Sequence, residues 1–194
     1  CETPVVAPSA NLSGKPSPTT WQAVYEDLNS RIDCILQGEM TEIGLESTVV
    51  DCTSETPLVL RTGAITLEQL REIVPETEVY QVKADEVVKS PGLKHRHYSP
   101  KARVDLVTTY DLYSKHYDIK IYGYNRSAFI GLHDSPNKFE LKKICSSVEE
   151  YAHEIFNFFR ECDARNLDII FCEEVEEKGI GLALMDRLRR ASQG

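Results

Sequence analysis

Ala7-Pro8-Ser9-Ala10-Asn11-Leu12-Ser13-Gly14 gathers hydroxyls, an amide and a glycine into one short stretch. Small residues let a backbone approach a ligand closely, and Ser9, Asn11 and Ser13 offer side-chain hydrogen bonds to it. The same residue types also make an ordinary turn and helix cap. In Leu60-Arg61-Thr62-Gly63 an arginine ends an apolar run ahead of a glycine turn. Its fork-shaped donor set suits a phosphate or carboxylate, and equally a structural ion pair with one of the acidic residues. Glu46-Ser47-Thr48 opens a β-branched run with two hydroxyls on opposite faces, one of which can stand at a pocket mouth. His95, His97 and Tyr98 have the chemistry for metal ligation or proton transfer, but no Cys, Asp or Glu stands at metal spacing around them. A polar linker over a cleft, with His97 or Tyr98 touching ligand, is the preferred reading.

These groups need elements to hold them. Pro4-Val5-Val6-Ala7 reads as a buried strand, which puts Ser9 and Asn11 at a strand's carboxyl end, a common ligand position in open α/β sheets. Ser17-Pro18-Thr19-Thr20 opens a helix whose Trp21, Val24, Tyr25 and Leu28 recur on one buried face. Residues 33–36, 46–51 and 58–61 read as strands of a mixed or antiparallel sheet. Thr66 and Gln69 form a capping-box pattern for a helix that stops before Pro75, and 78–82 is a short strand. From Lys89 to Pro100 the hydrophobic period vanishes, which predicts an ordered linker and a domain boundary. Beyond it, strands are expected at 102–107, 117–122, 127–132 and 168–172. Ser147 and Glu150 open a long helix with Tyr151, Ile155, Phe158 and Phe159 on one side, and Gly179 leads a closing helix. Strand alternating with helix predicts a small open α/β domain. Gly179-x-Gly181 lacks the third glycine of a dinucleotide fingerprint, and the acidic run 173–177 would repel a pyrophosphate. Arg187, Arg189 and Arg190 are assigned to the helix C-terminal dipole.

The chain has 194 residues, enough for one large domain or two small ones. A net charge of −9 argues against general nucleic-acid binding, although positive charge gathers at Lys89, Lys94, Arg96, Lys101 and Arg103. No apolar run approaches the roughly 20 residues of a membrane span. Cys1-Glu2-Thr3-Pro4 shows no basic-then-apolar pattern of a signal peptide. The six cysteines form no Cys-x-x-Cys pair, and Cys34, Cys52 and Cys172 lie in or beside apolar runs. They are read as reduced thiols, packed as small hydrophobes, in a cytosolic protein.

Five blocks in order resemble one family: Pro8-Ser9-Ala10-Asn11-Leu12-Ser13-Gly14, Ser47-Thr48-Val49-Val50-Asp51, Leu60-Arg61-Thr62-Gly63-Ala64-Ile65, Ser90-Pro91-Gly92 with His97-Tyr98-Ser99-Pro100, and the closing Gly179-to-Leu188 segment. They look like the second half of a YrdC-like domain, the linker, and the C-terminal domain of the L-threonylcarbamoyladenylate synthases. The resemblance implies an α+β part with a twisted mixed sheet at 1–85, a linker at 86–102, and a small Rossmann-like α/β domain at 103–194. It implies a cytoplasmic enzyme joining L-threonine, bicarbonate and ATP, with Mg2+, into threonylcarbamoyl-AMP and pyrophosphate. A tRNA-modifying threonylcarbamoyl transferase complex would act downstream, and neither membrane nor DNA is an expected partner.

Carried over, Ser9, Asn11, Arg61 and Tyr98 would contact ATP or AMP. Ser47 would contact threonine or phosphate, and His97 with Tyr98 would close over the cleft. No nucleophile or base is identified, and no side chain is assigned to a metal. The family's first half-domain has no counterpart here, so the expectation is a truncated chain with half a pocket. Three alternatives stand beside this reading: carbamoyl transfer in hydrogenase maturation, an RNA-binding module, and a non-catalytic YrdC-like interaction module.

Overall fold

The computed structural model describes residues 2–80, 99–113 and 126–193. The front part contains α1 (Trp21–Leu28), β1 (Val49–Asp51), β2 (Leu58–Arg61), α2 (Leu67–Ile73) and β3 (Glu78–Val79). The rear part contains β4 (Arg103–Val107), α3 (Thr109–Tyr113), β5 (Ser127–Gly131), β6 (Leu141–Ile144), α4 (Val148–Ala164), β7 (Ile169–Glu173) and α5 (Ile180–Ser192). This is the α/β class expected from the sequence. The front sheet, ordered β1-β2-β3, is mixed: β1 pairs antiparallel with β2, and β3 parallel with it. The rear sheet, ordered β4-β7-β5-β6, is parallel throughout.

Alternation along the central rear strands explains the layers. Ile170 and Cys172 of β7, with Ala128 and Ile130 of β5, face a cluster built on Tyr151, Ile155 and Phe159 of α4 and Leu184 and Leu188 of α5. Ile169 and Phe171 of β7, with Phe129 of β5, face the opposite side, against Val107 and Leu112. A parallel sheet covered on both faces needs such unbroken apolar strands. Phe139 stacks on Phe129 with ring centroids 5.3 Å apart, closing the second face. Ser147 caps α4 by accepting from the Glu150 N–H at 3.2 Å, but the Glu150 carboxylate reaches back to Ser146 rather than to the cap residue. The Thr66 box on α2 is complete.

Several expectations are corrected. Residues 4–7 and 33–36 are not strands: they lack ladder partners, and Val5, Val6 and Leu36 are exposed. Apolar composition alone does not make a strand where no neighbour offers a ladder. The strand expected over 46–51 begins only at Val49, because Ser47 and Thr48 are engaged by Arg61 and Ile65. In α1 the buried residues are Ala23 and Asp27, whereas Tyr25 is exposed, because an ion pair rather than apolar packing seats this helix. Cys34 and Cys52 are exposed, while Cys145, Cys162 and Cys172 are buried. Burial pushes the Cys145 and Cys162 thiols up to about 12, so both stay protonated and unreactive. Helix α3 and strand β6 were not anticipated. The expected strand at 117–122 and most of the linker, including His95, His97 and Tyr98, lie outside the described residues.

Candidate functional site

Ser47 and Arg61 meet across the start of the front ladder. Arg61 ends β2 and pairs with Val49, two residues beyond Ser47. The register shifts between Val49 and Val50, so β2 carries an extra residue, Leu60, just before the arginine. Such bulges re-aim side chains beside functional sites. The guanidinium donates from Nε to the Ser47 carbonyl at 3.0 Å and from Nη2 to Ser47 Oγ at 3.1 Å. Ser47 is exposed and Arg61 half-buried, so both remain within reach of a ligand. A serine hydroxyl that accepts from a cation keeps its own proton to donate, and the two groups together suit an anion.

The turn that holds this pair is tight. A Cβ on Gly63 would stand 2.2 Å from the Glu46 carbonyl and 2.5 Å from the Thr48 N–H nitrogen, so only glycine lets the two backbones touch. Thr48 Oγ1 donates to the Ile65 carbonyl at 2.6 Å and accepts from its N–H at 3.1 Å, fixing the far side of the turn.

The early stretch folds as a turn at Leu12–Lys15, where the Lys15 N–H donates to the Leu12 carbonyl at 3.1 Å and Gly14 takes φ of 89°. Asn11 Nδ2 donates into this turn, to the carbonyls of Leu12 at 2.9 Å and Lys15 at 3.2 Å. Its Oδ1 is buried without a protein hydrogen bond, an acceptor in want of a donor. Ser9 is exposed. The turn rests on Asp27 of α1, which accepts from the Leu12 N–H at 3.3 Å and from Lys15 Nζ at 2.7 Å.

Asp27 is in turn gripped from the rear part. Arg160 of α4 donates to Asp27 Oδ2 at 2.8 Å and to the Pro16 carbonyl. Burial would raise the Asp27 carboxyl, but the hydrogen bonds from Arg160 and Lys15 outweigh it and hold the group below its usual range. A second arginine, this one buried, does the same for the Ser47 segment. Arg187 of α5, assigned from sequence to the helix dipole, is instead completely buried and bonded to Glu46. Sequence reasoning missed both mooring pairs. A signal for Arg187 existed: it follows Leu184 by three and precedes Ala191 by four, on the apolar stripe of α5.

At the carboxyl end of the rear sheet, Glu173 fills the position where open α/β sheets often take a ligand. Its carboxylate accepts from the N–H groups of Leu132 at 2.7 Å and His133 at 2.9 Å and from Thr109 Oγ1 at 2.9 Å. These bonds make it a satisfied structural group. Among the described residues, no group of three or more His, Cys, Asp or Glu is arranged to hold a metal, and no helix is long and apolar enough to cross a membrane.

An α/β protein with a mixed front sheet, a parallel rear sheet and an arginine–serine pair at the start of the front ladder belongs to a class that comparison makes specific. The family model described as "Threonylcarbamoyl-AMP synthase, C-terminal domain" matches residues 65–193, and the one described as "Telomere recombination" matches residues 1–63. This chain belongs to the threonylcarbamoyl-AMP synthase family. It is 39% identical to the Pyrococcus abyssi threonylcarbamoyl-AMP synthase over 98% of its own length and 58% of that protein's. It is 36% identical to the Bacillus subtilis enzyme of the same name, again over 98% of this chain and 58% of the relative. The crystal structure of P. abyssi Sua5 complexed with L-threonine superposes with a TM-score of 0.84 at 38% identity, over 96% of this chain and 57% of that one. The chain thus spans somewhat more than half the length of these relatives.

Proposed function

We propose that this chain carries part of the nucleotide-binding face of an enzyme that makes threonylcarbamoyl-AMP from L-threonine, bicarbonate and ATP. In that reaction the threonine amine bonds to the bicarbonate carbon with loss of water. A carbamate oxygen then bonds to the α-phosphorus, and the bond to the leaving pyrophosphate breaks. The observation that carries the reading is the Arg61–Ser47 pair, a fixed cation beside an exposed hydroxyl. Charge develops on the α-phosphoryl oxygens as the leaving group departs, and preorganised donors stabilise it most. Arg61 neutralises that phosphate, and Ser47 donates to the phosphate or to the threonine carboxylate. Ser9 and Asn11 are assigned, on the family resemblance, to the ribose and phosphate of the nucleotide, and the unsatisfied Asn11 Oδ1 supports a role for that residue as an acceptor. The family resemblance assigns closure over the nucleotide to His97 and Tyr98, which lie outside the described residues. Catalysis is by positioning and electrostatics, with reactants held together in one cleft.

Magnesium would enter with the ATP phosphates and would offset their charge. The described residues supply no carboxylate set for it. The front unit is assigned to 1–85, the linker to 86–102 and the rear unit to 103–194; the separate pairing of the two sheets supports two units, and the boundary at 85 lies outside the described residues. The product passes to a tRNA-modifying threonylcarbamoyl transferase complex in the cytoplasm. The test is pyrophosphate release from ATP by the protein at its natural length. Release that requires both threonine and bicarbonate, and is lost in Arg61→Ala, supports the reading. Release independent of threonine removes it.

A further inference from the structure

We propose that Arg187 of α5 is a positioning residue for the nucleotide site, acting through Glu46 and Thr62; the role rests on the Arg61–Ser47 reading above. The geometry is specific. Arg187 Nε donates to Glu46 Oε2 at 2.9 Å, Nη2 to the Thr62 carbonyl at 2.8 Å, and Nη1 to Asp186 Oδ2 at 2.7 Å. Glu46 is the chain neighbour of Ser47, and Thr62 is the chain neighbour of Arg61. One guanidinium on the closing helix therefore clasps the two backbone segments that carry the site pair. The side chain of Arg187 is 0% exposed and that of Glu46 is 11% exposed, so solvent cannot replace either partner cheaply.

The neighbours of this contact extend it. Ser17 Oγ donates to the other Glu46 oxygen, Oε1, at 2.5 Å, tying the carboxylate to the segment ahead of α1. Leu45 packs on the rear core cluster. Gly44, at φ 79°, lies so close to α4 that a Cβ there would stand 2.4 Å from the His153 carbonyl. Residues 44–46 are thus seated on α4 and α5, and Ser47 is delivered from that seat. The rear part contributes to the site by fixing two strands against each other, without reaching the ligand itself.

A lysine at position 187 keeps the charge but lacks the planar fork, so it cannot hold Glu46, Asp186 and the Thr62 carbonyl in the same arrangement. A displacement of about 1 Å in a reacting group is enough to cost on the order of a hundredfold in rate. The experiment uses the protein at its natural length and compares wild type, Arg187→Lys, Glu46→Gln, Arg61→Ala and Ile169→Val. It reads kcat and KM for ATP and threonine, thermal midpoint, and amide hydrogen exchange. Ile169→Val loosens the opposite face of the rear sheet, away from the seat of residues 44–46, and serves as the stability control.

The expected result is that Arg187→Lys and Glu46→Gln stay folded and lose about tenfold or more in kcat/KM for ATP. Exchange rises in residues 46–48 and 61–63 in both variants, while Ile169→Val changes neither kinetics nor exchange there. Wild-type kcat/KM and wild-type exchange in folded Arg187→Lys overturn the proposal. If that variant fails to fold, the same result in Glu46→Gln overturns it. Full activity in Arg61→Ala removes the parent reading of the site and the positioning role with it. An inactive Arg61→Ala beside a fully active Arg187→Lys removes the positioning role alone.

Discussion

β5 and β7 bury every residue they contain, whereas no residue of β1 is buried and both residues of β3 are exposed. The two hydrophobic clusters of the described residues are centred on the rear sheet and its helices. The front part carries the candidate ligand-facing groups and, besides the packing of Leu45, is fastened to the rear by polar contacts: Arg160 on Asp27, Arg187 on Glu46, and the Gly179 N–H on Glu68. Apolar packing sets stability in one region, and a few directional bonds set geometry in the other. Apolar burial is roughly proportional to area and tolerant of direction. A buried, forked ion pair fixes position, and it costs most when one partner is taken away.

That contrast yields an ordered set of expectations. The largest stability loss belongs to the rear core: Phe129→Ala, at a position with no exposed surface, lowers unfolding free energy by about 3–5 kcal/mol in urea titrations. Next comes Asp27→Asn, which leaves Arg160 buried without its counter-charge and costs about 3 kcal/mol at pH 7. The pH dependence has a definite sign. Asp27 titrates below its ordinary value in the folded protein, so its contribution is complete above the unfolded carboxylate range near about 4 and is lost as pH falls through the lower folded value. The gap between wild type and Asp27→Asn therefore closes at acid pH, and a gap of constant size would contradict the pairing. Gly63→Ala drives a Cβ into the Glu46 carbonyl and costs about 1–3 kcal/mol, with activity falling further than stability explains. Leu36→Ala in the front, at a site 93% exposed, stays within about 0.5 kcal/mol of wild type.

Much of the rear architecture was legible in the chain. Tyr151, Ile155, Phe158 and Phe159 mark the packed face of α4 at helical spacing, and all four are buried. The run 168–172 marks the central strand because a parallel strand covered on both faces must be apolar throughout. The front was harder to read. Residues 4–7 and 33–36 have strand-like composition, but pairing is decided by partners distant in sequence, which no local pattern encodes. The contact between Arg61 and Ser47 also depends on a bulge, and its register is a tertiary property. Arg187 was misread, and Arg160 passed over, for a related reason. A charged residue in a helix is exposed in most contexts, and only a carboxylate more than 130 positions away makes burial of Arg160 or Arg187 affordable.

Arg61 and Ser47 are the proposed anion-binding centre of the front part. Calorimetric titration of ATP into the protein at its natural length tests it most directly. A hydrogen-bonded contact between a guanidinium and a phosphate predicts that Arg61→Ala weakens ATP binding by about 10–100-fold, with a smaller loss in Ser47→Ala. ATP affinity unchanged in a folded Arg61→Ala would contradict the account.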